Sequence, residues 1–250
     1  MPNILIVGYG NVGRNLKKEW GVLPIDTYDK YKPGTNTKRD IKYDIAVICV
    51  DTPYVSCDNV CEVSEVKNAI MENDADIYII KSTVLPGTTE RFCAETGKTI
   101  LFSPEYYGTT HFTNNYVFDF TILGGNKEAG KKVVQCLQTV YDGRHRFFLT
   151  DAKTAELCKY MENAFLATKV SFCQEFYEIA EKIGVNYEEL RELFVADPRV
   201  DPSQTYVFRD HPYWKSHCYD KDVPAIAETY NAYLLKAVIA FNERQKEKYV

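Results

Sequence analysis

Short apolar runs, four to seven residues long and separated by polar, turn-rich stretches, fill the first 150 residues. They fall at 3–7, 23–29, 44–50, 76–80 and 99–102, with two more at 118–123 and 146–149. Runs of this length without alternation are the pattern of strands buried on both faces of a parallel sheet. Between them, 14–20, 60–71 and 127–140 carry helical spacing. After residue 150 the period changes. Apolar or small residues recur at 157, 161, 165, 168, 172, 176, 179 and 183, in steps of three or four. This spacing predicts a helix over 154–184, about 45 Å long, with Thr150 or Asp151 as N-cap and Gly184 as its stop. A second stripe, Leu166, Val170, Cys173 and Tyr177, predicts burial on more than one face, and Lys159 and Asn163 continue it toward the N-terminus. A further helix is expected over 222–249, with Tyr230, Tyr233, Leu234, Ala237, Val238 and Phe241 at helical spacing.

The first run enters Gly8-Tyr9-Gly10-Asn11-Val12-Gly13 and then a helix. A G-x-G-x-x-G turn between strand and helix suits a pyrophosphate: the glycines permit a tight turn, close backbone approach and close helix packing. The second run offers Asp26 and Asp29 for the adenosine ribose. Asp29 follows Gly8 at about the expected spacing of 20 residues and is preferred. An acid there favours NAD over NADP, with Lys30 and Lys32 close by. The strands at 44–50, 76–80 and 99–102 each lead into a polar, Pro-containing loop: Asp51-Thr52-Pro53, Lys81–Thr88 with Ser82 and Thr83, and Ser103-Pro104-Glu105. Ligands of doubly wound sheets sit beyond such strand ends. The expected fold class is therefore α/β: a Rossmann-like doubly wound parallel sheet in residues 1–150, followed by a helical part in 151–250.

Composition narrows the setting. The chain has 250 residues, 45% apolar and 26% charged, with a net charge of −5 and no basic run, which argues against a nucleic-acid-binding surface. No apolar stretch reaches the roughly 20 residues of a membrane helix, and no signal peptide is recognisable, so the expectation is a cytoplasmic protein without membrane or export. Eight cysteines lie at 49, 57, 61, 93, 136, 158, 173 and 218, several inside apolar patterns. Cys57 and Cys61 form the closest pair, yet no matching pair follows at zinc-site spacing, so the reading is reduced thiols and no metal.

The motifs, taken in order, resemble one family. They are Gly8-x-Gly10-x-x-Gly13, Val50-Asp51-Thr52-Pro53, Ser82-Thr83-Val84, Ser103-Pro104-Glu105 and Glu156-Leu157-x-Lys159-x-x-x-Asn163-Ala164-Phe165, with Cys218-Tyr219-Asp220-Lys221-Asp222 near the end. The chain is similar along essentially its whole length to the UDP-glucose/GDP-mannose dehydrogenase family of nucleotide-sugar dehydrogenases. Residues 234–245 resemble that family's long dimerisation helix.

The resemblance implies NAD as cofactor, a nucleotide sugar as substrate (UDP-glucose by default) and a homodimer. It implies a four-electron oxidation of a C6 alcohol to a carboxylate through a cysteine thiohemiacetal and thioester. Cys218 would be the nucleophile, with Lys159 and Asn163 over the reacting oxygen. Asp222, Thr83 and Glu105 would serve proton transfer and the hydrolytic water. Gly8, Tyr9, Gly10, Asn11, Val12, Gly13, Asp29, Val50, Thr52, Pro53, Ser82 and Thr83 would hold the cofactor. Glu105, Tyr106, Tyr107, Lys159, Asn163, Arg199, Arg209, Lys215 and His217 would face the substrate. A thiol needs nearby cations to ionise at neutral pH, and Lys221, His217 and Lys159 are the candidates.

Three features depart from the family. Trp214-Lys215-Ser216-His217-Cys218 replaces a glycine-rich F-G-G-S-C, and Tyr106-Tyr107-Gly108-Thr109 replaces F-L-x-E-G. The sequence ends at Val250, where relatives continue into a second Rossmann-like domain holding much of the nucleotide. The expectation is either a truncated sequence or a naturally short form that borrows another chain for the nucleotide, takes a smaller substrate or is inactive. Two other readings stand beside it: an NAD-dependent dehydrogenase of a small hydroxy acid or sugar phosphate, and a non-catalytic NAD-binding dimeric descendant.

Overall fold

The computed structural model describes residues 1–55, 60–107 and 118–249. Cys57, Gly108, Thr109 and Val250, singled out above, lie outside the described residues. The chain divides into two compact units: Met1–Pro53 with Cys61–Lys159, and Tyr54–Val60 with Tyr160–Val250.

The first unit is built on strands β1 (Ile4–Val7), β2 (Ile25–Tyr28), β3 (Tyr43–Ile48), β6 (Ala75–Ile80), β7 (Ile100–Phe102), β8 (Phe120–Gly124) and β9 (Arg146–Thr150), in the order β2-β1-β3-β6-β7-β8-β9. Two-residue strands β4 (Tyr54–Val55) and β5 (Val60–Cys61) fall between β3 and β6. Alternate residues of the central strands feed two cores. Leu5, Val7, Ala46, Ile48, Tyr78 and Ile80 pack with Val66, Ile70 and Phe92 of α2 (Ser64–Met71) and α3 (Thr88–Thr96). Ile4, Ile6, Ile45, Val47, Ile77 and Ile79 pack with Leu16, Val133 and Leu137 of α1 (Asn11–Glu19) and α4 (Lys127–Leu137). Period-two strands covered on both sides explain why the sequence shows unbroken apolar runs.

The sheet is mixed, where a wholly parallel one was expected. β8 pairs antiparallel with β7, and β9 then pairs parallel with β8. The predicted helix at 60–71 begins only at Ser64, since β5 occupies its start. Strand order reverses between β1 and β3, which puts the crevice of a doubly wound sheet at the end of β1.

Helix α5 (Ala152–Ile183) is capped by Asp151, whose Oδ1 accepts from the Thr154 N–H at 2.8 Å, and it ends at Gly184 in the left-handed region. It belongs to the first unit up to Lys159 and to the second from Tyr160. Its buried side is the stripe with Lys159, Asn163, Cys173 and Tyr177, joined by Ala164, Ala167, Ser171 and Gln174. The more apolar stripe, expected to be buried as well, is exposed: Leu157, Met161, Phe165, Phe172, Phe176, Ile179 and Ile183 are 41–73% accessible.

The second unit adds α6 (Tyr187–Phe194), α7 (Tyr219–Thr229) and α8 (Tyr233–Tyr249). The single helix predicted over 222–249 is two. Asn231 takes a left-handed φ of 49° and the Ala232 N–H closes back on the Ala227 carbonyl, a helix-ending turn that Asn tolerates. Val238 of α8 packs with Ala167, Trp214 and Val223 in a core that α5 and α7 share.

Candidate active site

In the first unit the chemistry gathers at the carboxyl ends of the strands. Gly8 has φ 94°, and a Cβ there would lie 2.5 Å from the Cys49 carbonyl oxygen. At Gly13 a Cβ would meet the Gly8 carbonyl oxygen at 2.1 Å, so the turn and α1 can pack only if this residue has no side chain. A Cβ at Gly10 would meet nothing within 4 Å, leaving bare backbone at the helix N-terminus. Gly10 is also the N-cap of α1; it gives no side-chain cap, and the first turn has no acid to compete with an anion.

Asp29 is buried, and its carboxylate accepts from the Tyr9 N–H at 2.8 Å and the Tyr31 N–H at 2.9 Å. The Lys32 ammonium stands 3.2 Å from the Tyr9 carbonyl and 3.9 Å from Asp29. Asp26 is bound instead to Arg39 and the Tyr43 hydroxyl. Asn11 accepts from Asn15, and Val12 packs into the core below the turn. The loops after β3 and β6 are tied together. Ser82 Oγ donates to the Val50 carbonyl at 2.5 Å, and Thr52 Oγ1 donates to the Thr83 carbonyl at 2.9 Å, with Pro53 exposed beside them. A glycine cradle, an open helix N-terminus and a fixed acid at the end of β2 fit an NAD dinucleotide.

After β7, Glu105 is held by three groups. One carboxylate oxygen accepts from the Tyr106 and Tyr107 N–H groups at 2.7 and 3.2 Å, and the other lies 3.3 Å from the nearly buried Lys81 ammonium. That ammonium also donates to Ser103 Oγ at 3.1 Å. Tyr107 packs on the core, while the Tyr106 ring lies between Phe118, Phe120 and the Lys159 ammonium, 4.7 Å from its centroid. Glu156, one turn before Lys159, is fully buried and caps α3: its carboxylate accepts from the Gly87 N–H at 2.6 Å and the Thr89 N–H at 2.8 Å. Burial pushes its carboxyl up against the pull of these two donors.

In the second unit Asn163 and Asp222 are brought together, both buried. Asn163 Nδ2 donates to Asp222 Oδ2 at 2.7 Å, and the Lys221 ammonium donates to Oδ1 at 2.6 Å. Cys218 is exposed at the N-cap of α7, and its carbonyl accepts from the Asp222 N–H at 2.9 Å. The carboxylate and the thiol therefore leave one helix a turn apart. A reciprocal cap fixes this start: Ser216 Oγ accepts from the Tyr219 N–H, and Asp220 accepts from the Ser216 N–H. The thiols separate by environment. Burial pushes Cys49, Cys93, Cys136 and Cys173 up, whereas Cys158 and Cys218 are exposed.

Lys215 and His217 are exposed on the same loop. Arg199 and Arg209 are exposed too, and each is held by a carboxylate elsewhere, Asp197 and Glu188. Lys81, Trp214 and Asn242 carry no role in the sequence reading above. Their signals were polar residues inside apolar patterns and one large aromatic in a polar loop. Among the described residues no group of His, Cys, Asp and Glu could hold a metal ion, and no helix is long and apolar enough to cross a membrane.

Residues 153–244 match the UDP-glucose/GDP-mannose dehydrogenase family, central domain. Over 216 residues the chain is 31% identical to a UDP-N-acetyl-D-mannosamine dehydrogenase of Methanocaldococcus jannaschii, covering 81% of this chain and 49% of that one. Over 185 residues it is 28% identical to a UDP-glucose 6-dehydrogenase of Rickettsia conorii, covering 70% and 42%. The structure of a UDP-D-ManNAc dehydrogenase from Pyrococcus horikoshii aligns with a TM-score of 0.81 at 25% identity, over 97% of this chain and 68% of that one. The chain spans about half the length of the curated relatives it matches.

Proposed function

This chain carries the central domain of the UDP-glucose/GDP-mannose dehydrogenase family, and on that premise we propose that it oxidises the C6 alcohol of a nucleotide sugar to a carboxylate with NAD. The observation that carries the reading is the exposed Cys218 thiol one helical turn from a buried carboxylate that Asn163 and Lys221 hold. Residues 1–150 are the NAD-binding domain in this reading and 151–250 the helical domain with the thiol loop. The favoured substrate is a UDP-N-acetylhexosamine, after the name of the M. jannaschii relative, ahead of UDP-glucose.

NAD, when bound, takes up a hydride in each of two oxidations. The protein's own residues do the rest. The bare backbone at Gly10 and the α1 N-terminus receive the pyrophosphate, and Asp29 receives the adenosine ribose. Val50, Thr52, Pro53, Ser82 and Thr83 line the nicotinamide side. Lys159 and Asn163 donate to the reacting oxygen and stabilise negative charge as it develops. The Cys218 thiolate adds to the C6 aldehyde and forms a thiohemiacetal, whose oxidation gives a thioester. Asp222 accepts a proton from the water that cleaves the thioester, releasing the carboxylate and the thiol. A one-step oxidation of an alcohol needs no thiol, which counts against the small hydroxy acid reading.

We place a second copy of the chain as partner. Support comes from the exposed α5 stripe and from Tyr230, Tyr233 and Leu234, also exposed. The test is NADH absorbance with NAD and a panel of UDP- and GDP-sugars, beside Cys218→Ala. Two NADH per sugar, with carboxylate formation lost in Cys218→Ala, is the expected result. No NADH from any sugar while NAD still binds would sink the reading for this chain.

A further inference from the structure

The segment from Pro202 to Ser216 contains no helix or strand, yet it delivers Cys218 to α7. An irregular loop keeps a shape only where its backbone groups and side chains are tied down. In its first half Thr205 is tied to Tyr187 and Arg191, and Trp214 is the anchor nearest Cys218. The Trp214 side chain is buried with Ala167, Val223 and Val238, and its indole N–H donates to Ser171 Oγ at 3.0 Å. Both backbone groups of Trp214 go to a single side chain of α8: the N–H donates to Asn242 Oδ1 at 2.8 Å, and the carbonyl accepts from Asn242 Nδ2 at 3.0 Å. Asn242 is fully buried. A side-chain amide that gives and takes at one residue reproduces the pairing of a strand neighbour. Neither a carboxylate nor an aliphatic side chain of that size can do so, because the first lacks the donor and the second lacks both groups.

Three residues separate Trp214 from Cys218. Two of them, Lys215 and His217, are exposed, and Ser216 is fixed in the reciprocal cap of α7. We propose that Asn242 is the positioning residue of the Cys218 thiol: by clamping the Trp214 backbone to α8 it holds the loop in the one path that sets Cys218 at the N-cap of α7. The proposal rests on the reading of Cys218 as the reacting thiol for its kinetic consequence only.

The test uses the full chain with Cys57→Ser and Cys158→Ser, alkylated at Cys218 with a trifluoromethyl-bearing bromoacetamide. Fluorine NMR of the label then reports the loop without any substrate. The expected result is one narrow resonance for Asn242 and several or broadened resonances for Asn242→Ala. Asn242→Asp keeps size and acceptor but loses the donor, and should fall between them. In the unlabelled protein, both variants should lose at least tenfold in kcat with a nucleotide sugar, with the KM for NAD unchanged. If Asn242→Ala does not fold, Asn242→Asp decides alone. A folded variant with the single narrow resonance overturns the proposal, as does an unchanged kcat in a chain that turns over. If the unsubstituted chain oxidises no sugar, the proposed function fails, and the fluorine spectra still decide whether Asn242 positions the loop.

Discussion

The glycine turn after β1 and the thiol loop before α7 are both irregular segments that present chemistry at a helix N-terminus, and they are specified in opposite ways. The turn is shaped by what is missing: at Gly8 and Gly13 a single added carbon would overlap backbone oxygens of the sheet end or of the turn itself. Its glycines lie within six residues, although the obstacle at Gly8 is the Cys49 carbonyl. The thiol loop contains no glycine and is shaped by its side chains: a buried tryptophan and partners 28 and 43 residues away along the chain. Close packing without side chains leaves a local signature, whereas anchoring by side chains scatters its instructions over the sequence.

This contrast can be tested at three strengths. The largest effect is expected at the turn. Gly13→Val drives carbon into the Gly8 carbonyl, and no flexible side chain is there to yield. Urea unfolding should show a loss of about 3 kcal/mol or more, and NAD binding, followed by fluorescence quenching or calorimetry, should be abolished. If Gly13→Val binds NAD normally, the turn is not shaped by exclusion. The second effect lies beside the thiol. Asp222→Asn leaves the nearly buried Lys221 ammonium without its counter-charge. A loss of about 2 kcal/mol is expected, together with loss of carboxylate product while NAD binding is retained. Equal loss of NAD binding in this variant would mean that the two segments do not act separately.

The smallest effect compares a buried acid of one unit with a half-buried acid of the other. Burial raises the Glu156 carboxyl above 4.5, so the folded chain binds that proton more tightly than the unfolded chain. Its contribution to stability therefore falls as pH rises from 4.5 through the folded value. Glu178 is opposite: burial works against it, but the hydrogen bond and charge of Lys248, with the Arg244 guanidinium beside it, hold it below 4.5. Its contribution is complete above 4.5 and is lost as pH falls through the lower folded value. Urea midpoints between about pH 3 and about pH 7 should lose the upper slope in Glu156→Gln and the lower slope in Glu178→Gln. The same change in both variants would contradict the assignment.

The sheet was readable because each central strand is apolar on both faces, and the nucleotide turn because its glycines are grouped in one short motif. Helix α3 was not readable: its sequence, Thr-Thr-Glu-Arg-Phe-Cys-Ala-Glu-Thr, is mostly polar, and its cap is Glu156, far along the chain. The break between α7 and α8 was hidden because helical spacing continues across it, and only the left-handed Asn231 interrupts it. On α5 the spacing announced a helix but not which stripe faces inward. The less apolar stripe is the buried one, since Lys159, Asn163, Ser171 and Gln174 lie on that side. The residues placed around Cys218 were readable as types, whereas the Asn242 clamp depends on a pairing that no local pattern encodes.

Helix α5 carries Lys159 as the last residue of one unit and Asn163 just inside the other, one turn apart on a continuous rod. Such a rod works as a gauge of phase as well as of length. A residue gained or lost between those two positions would turn the helix's own side chains beyond it by roughly 100° relative to those before it, whereas substitutions of Met161 and Glu162 leave the phase untouched. In the gene, the codons of the exposed Met161 and the half-buried Glu162 should therefore tolerate base changes far better than in-frame insertions or deletions. A deep mutational scan that includes single-codon indels would show this as a sharp notch in indel tolerance at positions that accept substitution.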